Sequence, residues 1–119
     1  MTRAALWAVL GRAAGADVDG GSPWYQKALE WAKTENISDG TNPKGSITRQ
    51  ELVTMLYRNA EKPVVTGDLS KFSDVSSLAS WASDAMVWAV SEGLVKGSGN
   101  KLNPTATATR AQVVTMMAD

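Results

Sequence analysis

One stretch that occurs twice decides the fold: WYQKALEWAKTENISDG at residues 24–40 and WASDAMVWAVSEGLVKG at residues 81–97. When Trp24 is placed over Trp81, the two stretches share two tryptophans, two alanines and the final glycine. Matches that include two tryptophan pairs indicate an internal repeat, which is the first feature to seek in a sequence. We call this stretch the Trp segment.

A second element occurs three times and begins with Thr-Arg. The copies are TRAALWAVLGRAA from Thr2, TRQELVTMLYRNA from Thr48 and TRAQVVTMMAD from Thr109. Each copy has an apolar residue at its fifth and ninth positions. We call this element the Thr-Arg segment. The chain therefore has three Thr-Arg segments but two Trp segments, so we expect that one Trp segment is missing upstream.

The Trp segments are predicted to be helices. Trp81, Ala85, Trp88 and Ala89 follow the spacing i, i+4, i+7, i+8, which places them on one apolar stripe. Ser22-Pro23 is predicted to begin the first of these helices and Ser80 to cap the second. Ser38-Asp39-Gly40 and Gly93 are predicted to end them.

The Thr-Arg segments are also predicted to be helices, each opened by its threonine. Thr48 and Glu51 fit a capping box, in which each side chain accepts a hydrogen bond from the other residue's N–H. Thr109 and Gln112 allow the same exchange, whereas Ala5 gives Thr2 no reciprocal partner. Nothing in the sequence shows the sustained alternation of a strand. The sequence therefore predicts an all-α repeat protein.

The composition excludes several kinds of function. The 12 basic and 12 acidic residues balance, which disfavours a broad nucleic-acid or anionic-membrane surface. The chain has no Cys and no His, so thiolate nucleophiles, Cys/His zinc sites and the usual general base near neutral pH are absent. We expect no enzyme activity, no metal and no cofactor. Residues 1–16 are interpreted as a helix rather than a signal peptide.

The repeat resembles the S-layer homology (SLH) motif. The stretch 72–119 carries its features in order: Phe-Ser-Asp-Val at 72–75, Trp81-Ala82, Trp88-Ala89, Gly93, Gly97, Pro104 and Thr109-Arg110-Ala111-Gln112. Residues 17–60 resemble a second copy that lacks the opening Phe and has a shorter loop. Residues 1–15 resemble the closing helix of a third.

The resemblance implies a fold and a function. The expected fold is a single domain over 1–119, with partial motif 1–15 and motifs 16–62 and 68–119. It would be a pseudo-threefold spindle with central Thr-Arg helices and outer Trp lobes, one lobe missing. The implied function is a non-catalytic module that anchors a surface protein to pyruvylated secondary cell-wall polysaccharide. The expected location is the bacterial cell surface, and any export signal would lie outside this sequence.

Arginine supplies the predicted binding chemistry. Arg3, Arg49 and Arg110 each follow a capping threonine, and a guanidinium can meet a ketal carboxylate with two hydrogen bonds. The helix N-terminus would add its N–H groups and partial positive charge. The alternative is that these arginines pair with Asp or Glu between lobes. Arg3 is the weaker candidate because its own lobe is missing.

The other candidates have structural alternatives. Trp24 and Trp81 stack on sugar rings or pack in the core, whereas Trp31 and Trp88 are predicted to be core residues. Asp74, like Asp17, either binds ligand hydroxyls or orients an arginine, or it forms a turn, which we favour. Gly40 and Gly97 allow close approach of a sugar or end helices at positive φ.

A second function remains open. The chain could be a protein–protein interaction or self-assembly module of a bacterial surface protein. An apolar flank left by the missing lobe would then be covered by another copy or by a second chain.

Overall fold

The structure, a computed structural model, describes residues 1–95 and 100–118, with side chains to 117. Within those ranges it contains α-helices and short 3-10 turns but no β-strand, which confirms the all-α prediction. The helices are α1 Arg3–Ala13, α2 Gln26–Thr34, α3 Arg49–Asn59, α4 Ser83–Ser91 and α5 Arg110–Ala118, and the 3-10 turns are Val75–Ser77 and Ser80–Ala82.

The chain divides into two compact units, Met1–Ile47 and Thr48–Asp119. In the first unit α1 packs against α2, and in the second α3 packs against α4 and the 3-10 turn before it. Each unit thus joins one Thr-Arg helix to the Trp segment that follows it in the sequence. The structural unit is therefore shifted relative to the sequence repeat, which places the Trp segment first.

The predicted threonine caps are confirmed. Thr48 is extended, its Oγ1 accepts the N–H of Glu51, and the Glu51 carboxylate accepts the N–H of Thr48 at 2.9 Å. Thr109 and Gln112 exchange the same two bonds. Thr2 accepts the N–H of Ala5 at 3.1 Å. These bonds satisfy donors that a helix start otherwise leaves without a partner.

The predicted starts of the Trp helices are wrong. Gln26 donates its N–H to the carbonyl of Pro23, so a turn precedes α2 and Ser22 does not cap it. Ser80 lies inside a 3-10 turn, and α4 begins only at Ser83 without a side-chain cap. Both leading tryptophans therefore stand before their helices, outside the regular spacing that predicted a stripe.

The two Trp helices end in the same way. Asn36 and Gly93 occupy equivalent positions and have φ of 59° and 75°. The next residue of each donates its N–H back to the helix, Ile37 to Ala32 and Leu94 to Ala89. Gly93 ends its helix as predicted, but Asn36 ends the first one, because Asn tolerates the left-handed conformation. Gly40 therefore does not terminate α2.

The Thr-Arg helices supply much of the core. Trp7 on α1 and Val53 on α3 lie at the same position of their segments, and both are fully buried. Trp7 therefore packs inside the protein. Trp88 is buried as predicted, whereas Trp31 is half-buried. No helix in the described part of the chain is long and apolar enough to cross a membrane.

Candidate functional site

The starts of α1 and α3 are each covered by the loop that comes after the next Trp segment in the sequence. Arg3 and Ala4 donate their backbone N–H groups to the carbonyls of Gly45 and Pro43, each at 2.9 Å. In the second unit, the N–H groups of Arg49 and Gln50 are donated in the same way, to the carbonyls of Ala106 and Pro104, each at 2.9 Å. The same two contacts thus occur once in each unit.

Each covering loop turns at an Asn-Pro pair. Asn42 precedes Pro43 and Asn103 precedes Pro104, and the two asparagines have φ of 50° and 52°. Asn adopts this left-handed conformation more readily than other residues with a side chain. The recurrence of Asn-Pro in TNPKG and LNPTA is the sequence signal for these loops. We call them the Asn-Pro loops.

The Asn-Pro loops occupy backbone N–H groups that we expected to bind a ligand. The first two N–H groups of α1 and α3 are donated to loop carbonyls, and the third is donated to the capping threonine. These N–H groups are therefore not available to a ligand, contrary to our expectation. What remains at each helix start for recognition of an anion is the arginine side chain.

Both arginines are held at their Nε atoms. Arg3 donates from Nε to the carbonyl of Thr41, and Arg49 donates from Nε to the carbonyl of Leu102, each at 3.1 Å. In the described part of the chain, this is the one hydrogen bond of the Arg49 side chain. Its two terminal nitrogens therefore keep their donors for a further acceptor.

An aspartate organises the loop beneath each arginine. The Asp74 carboxylate accepts the N–H groups of Leu102 and Asn103, both at 2.8 Å. Desolvation raises the pKa of Asp74, but these backbone hydrogen bonds outweigh it and hold the pKa below its usual value. Asp74 therefore fixes the carbonyl of Leu102 that receives Arg49. Asp74 thus has a structural role, but it holds a loop distant in sequence rather than the local turn that we favoured.

The first unit uses a different aspartate for the same task. Asp39 accepts the N–H of Thr41 at 3.0 Å and its hydroxyl at 2.7 Å. Hydrogen bonds from the Thr41 side chain and backbone lower the pKa of Asp39. Asp17, the sequence equivalent of Asp74, instead forms an exposed ion pair with Lys27. Sequence alignment of the repeats therefore does not find the aspartate of the first unit.

The arginines are partly desolvated cations. Burial lowers the pKa of Arg49, and the nearby charge of Asp74 opposes this effect. Burial lowers the pKa of Arg3 in the same way, with Asp39 opposing. A charge that has lost part of its hydration is stabilised by a paired anion. Each site is thus a half-buried guanidinium on a preformed loop.

Arg110 has a different environment. It is exposed at the start of α5, and no Asn-Pro loop covers that helix start within the described residues. Arg110 therefore has the predicted cap but lacks the carbonyl that holds Arg3 and Arg49.

The two leading tryptophans are exposed to the same extent. Trp24 is 56% exposed and Trp81 is 54% exposed. Trp81 lies in the 3-10 turn that packs on α3, and the Ala79 N–H just before this turn is bonded to Gln50, next to Arg49. Trp24 stacks edge-to-face with Tyr25. Both tryptophan rings are therefore accessible to solvent and do not belong to the core.

Of the two candidate glycines, Gly40 lies in the described part of the chain. Gly40 has φ of +80°, and a Cβ there would lie 2.9 Å from Lys33 Cδ and 3.3 Å from Leu29 Cδ2. The space beside Gly40 is thus filled by the protein's own side chains, which favours its structural role over contact with a sugar. Gly97 lies outside the described residues.

The sequence model of the S-layer homology domain family matches residues 16–53 and 71–114. The chain belongs to the S-layer homology family. The two matched stretches are the two motifs recognised from the sequence, and each contains an aspartate at the position of Asp17 or Asp74. Each SLH motif of this chain supplies a Trp segment with its Asn-Pro loop, and each loop covers the Thr-Arg helix of the preceding motif. Each arginine site is therefore shared by two consecutive motifs.

Relatives of this SLH chain are surface proteins and enzymes of much greater length. A surface-layer 125 kDa protein of Lysinibacillus sphaericus is 33% identical over 96 residues, 73% of this chain and 8% of that protein. An amylopullulanase of Thermoanaerobacterium thermosulfurigenes is 33% identical over 110 residues, 85% of this chain and 6% of the enzyme. The exoglucanase XynX of Acetivibrio thermocellus is 33% identical over 111 residues, 85% of this chain and 10% of the enzyme.

A solved structure has the same fold. The undecaheme cytochrome from the S-layer of Carboxydothermus ferrireducens matches 98% of this chain and 16% of its own chain. The TM-score is 0.65 and the sequence identity is 27%. The chain thus spans a small part of the relatives that it matches. The SLH family and its S-layer relatives place it at the cell surface, as a module of the anchoring kind.

Proposed function

We propose that this SLH chain is a non-catalytic module that anchors a surface protein by binding the carboxylate of a secondary cell-wall polysaccharide. The observation that carries the proposal is the geometry of Arg49, whose Nε is fixed on the Leu102 carbonyl. With Nε fixed, the two terminal nitrogens form the donor edge that a carboxylate can meet with two parallel hydrogen bonds.

The electrostatics favour a carboxylate partner. The first three N–H groups of α3 are already donated to two loop carbonyls and to the Thr48 hydroxyl, so the positive charge that a ligand meets is that of one guanidinium. One fork matches a singly charged, planar carboxylate such as that of a pyruvate ketal. The exposed Trp81, on a turn packed against α3, would add an apolar face on which a sugar ring could stack.

The experiment is sedimentation of the purified chain with Gram-positive wall sacculi before and after chemical removal of the secondary polysaccharide. We expect the chain to sediment with intact sacculi and to remain in the supernatant with stripped sacculi. Equal binding to both would assign the affinity to peptidoglycan and contradict the proposal.

A second function is favoured by one observation on α5. Val114 occupies the position of Trp7 and Val53, which are fully buried, yet Val114 is 61% exposed. In α1 and α3 this position lies on helices that pack against a Trp helix, so the exposed α5 surface is suited to a helix of that kind from another chain. This is the self-assembly or protein–protein function.

Light scattering at micromolar concentration tests this second function. An oligomer that Val114→Asp converts to monomer would support it, because a charge on the α5 surface should prevent apolar packing. A parent chain that is monomeric over the whole concentration range would contradict self-assembly.

A further inference from the structure

Two connections lead from a Thr-Arg helix into the next motif, and the first of them is anchored along its length. In this connection, residues 15–22, the Val18 side chain is buried. The backbone N–H of Ala16 is donated back to α1, and Asp19 forms an ion pair with Arg12. The first connection is therefore tied to the unit to which it belongs.

The second connection, residues 61–70, contains four consecutive residues without such anchors. Within the part of the chain that the structure describes, the backbone N–H and carbonyl groups of residues 64–67 form no hydrogen bond with the protein. The chain runs through these four residues without a helix, turn or bend. Val64 is 97% exposed, so its side chain has almost no contact with the protein. Both the backbone and an aliphatic side chain are thus open to another molecule.

These features match what an endoprotease requires of a substrate. A bound peptide strand is held in an extended form by hydrogen bonds to its main chain, so the substrate must not use those groups itself. Exposed connections of this kind are the preferred sites of proteolytic cleavage. Valine favours extended conformations, and Pro63 fixes its own φ just before Val64. The exposed side chain also selects the class of protease, because elastase-type enzymes have a small pocket for the residue before the cleaved bond.

We infer that the Val64–Val65 peptide bond is a cleavage site for an elastase-type endoprotease outside the cell. In the reaction the C–N bond breaks, and one water molecule supplies the hydroxyl of the new Val64 carboxyl group and a proton of the new Val65 amine. Cleavage leaves Arg49 on one piece and Leu102, whose carbonyl accepts the Arg49 Nε–H, on the other. The pieces are then joined by non-covalent contacts such as the packing of α3 against α4.

Limited proteolysis of the folded chain with pancreatic elastase, followed by mass spectrometry, tests the site. We expect the first products to be residues 1–64 and 65–119. Val64→Asp should slow this cut by at least about tenfold, because a carboxylate is not accepted by a small apolar pocket. Val114→Asp is the matched control. Val114 is also exposed, at 61%, but it lies in α5, where the backbone is held in a helix, so this variant should be cut like the parent.

Thermal unfolding of the variants and of the cleaved chain completes the test. Val64→Asp should unfold at the parent temperature, since its side chain lies in solvent. The cleaved chain should unfold below the intact chain, and the difference should grow on dilution because two pieces can separate. A difference that does not change with concentration would contradict the two-piece account.

Three results would overturn the cleavage site. They are resistance of the folded parent to elastase, a first cut at another bond such as one within residues 15–22, and equal rates for Val64→Asp and the parent. None of these measurements involves the polysaccharide, so their outcome is independent of the proposed wall binding.

Discussion

The two units build the same arginine site with different supports. In the second unit Asp74 precedes the Trp helix and bonds to two backbone N–H groups of the loop. In the first unit Asp39 follows the Trp helix and bonds to the N–H and hydroxyl of Thr41. In both units an arginine Nε is bonded to a loop carbonyl at 3.1 Å.

The comparison shows which part of the repeat is kept constant. The arginine, the threonine cap and the Asn-Pro turn occur in both units, whereas the aspartate changes its place in the sequence. Two aspartates at different places in the repeat thus hold the loop carbonyl that accepts the arginine Nε–H. We infer that the bond from the arginine to the loop matters more for function than the identity of the group that shapes the loop.

The largest predicted effect concerns a core position that differs between the units. Trp7→Ala should lower the free energy of unfolding by about 3–5 kcal/mol, because it removes a fully buried indole. Chemical denaturation measures this change. Val114→Ala, at the same position of the exposed α5 surface, should change stability by less than about 0.5 kcal/mol. A similar loss in both variants would contradict the assigned burial.

A loop glycine distinguishes the first unit from the second. Gly45→Ala would place a Cβ against the side-chain amide of Asn42 in the first Asn-Pro loop, so that side chain must turn away. We expect a loss of at most about 1 kcal/mol on denaturation, because Asn42 is exposed and its short side chain can move. The second loop has Ala106 as the corresponding acceptor, and Ala106→Gly is the control. An unchanged midpoint for Gly45→Ala would show that Asn42 can turn away without cost.

The helix caps give an intermediate effect. Thr48→Ala removes the acceptor for the Glu51 N–H and should lower stability by about 1 kcal/mol. Thermal or chemical unfolding measures it, and Thr48→Ser should recover most of the loss because the hydroxyl is retained. If Ser is no better than Ala, the capping hydrogen bond is not the source of the stability.

Acidification gives the smallest effect and separates the two supports. The folded chain lowers the pKa of Asp74, so its contribution to stability is present above the ordinary aspartate value, near about 4, and is lost as the pH falls through the lower folded value. Asp74→Asn should reduce stability at pH 7 and flatten the decline in stability below about pH 4. Unfolding curves at pH 3 and pH 7 measure this change. If the stability of Asp74→Asn declined with falling pH as steeply as that of the parent, the prediction would be wrong. Asp39 is present in both proteins, and its own contribution would still decline in acid.

Much of the fold could be predicted because it depends on local chemistry. The threonine caps follow from Thr-x-x-Glu and Thr-x-x-Gln, and the helical class follows from apolar spacing. The starts of the Trp helices were missed because turns at Pro23 and at Ser80–Ala82 overrode the periodic pattern. The end of α2 was missed because Asn36 takes the place of a glycine.

The site was predicted only in part. The arginines were selected as candidates because they follow a capping threonine. The backbone N–H groups of the same helix starts were wrongly expected to be available to the ligand. The loops that cover those groups come from the next motif. Their Asn-Pro turns recur in the sequence, but this recurrence does not show which helix start each loop contacts. Asp39 was missed for the same reason, since its role depends on where Thr41 lies relative to Arg3.

The most direct test of the central claim compares wall binding by the double variant Arg3→Ala/Arg49→Ala with that of Arg110→Ala. Both proteins would be sedimented with the same intact sacculi, after thermal unfolding confirms that they are folded. The arginines that are held by Asn-Pro loops should carry the affinity, so the double variant should remain in the supernatant while Arg110→Ala sediments like the parent. Sedimentation of the double variant at the parent level would contradict the account.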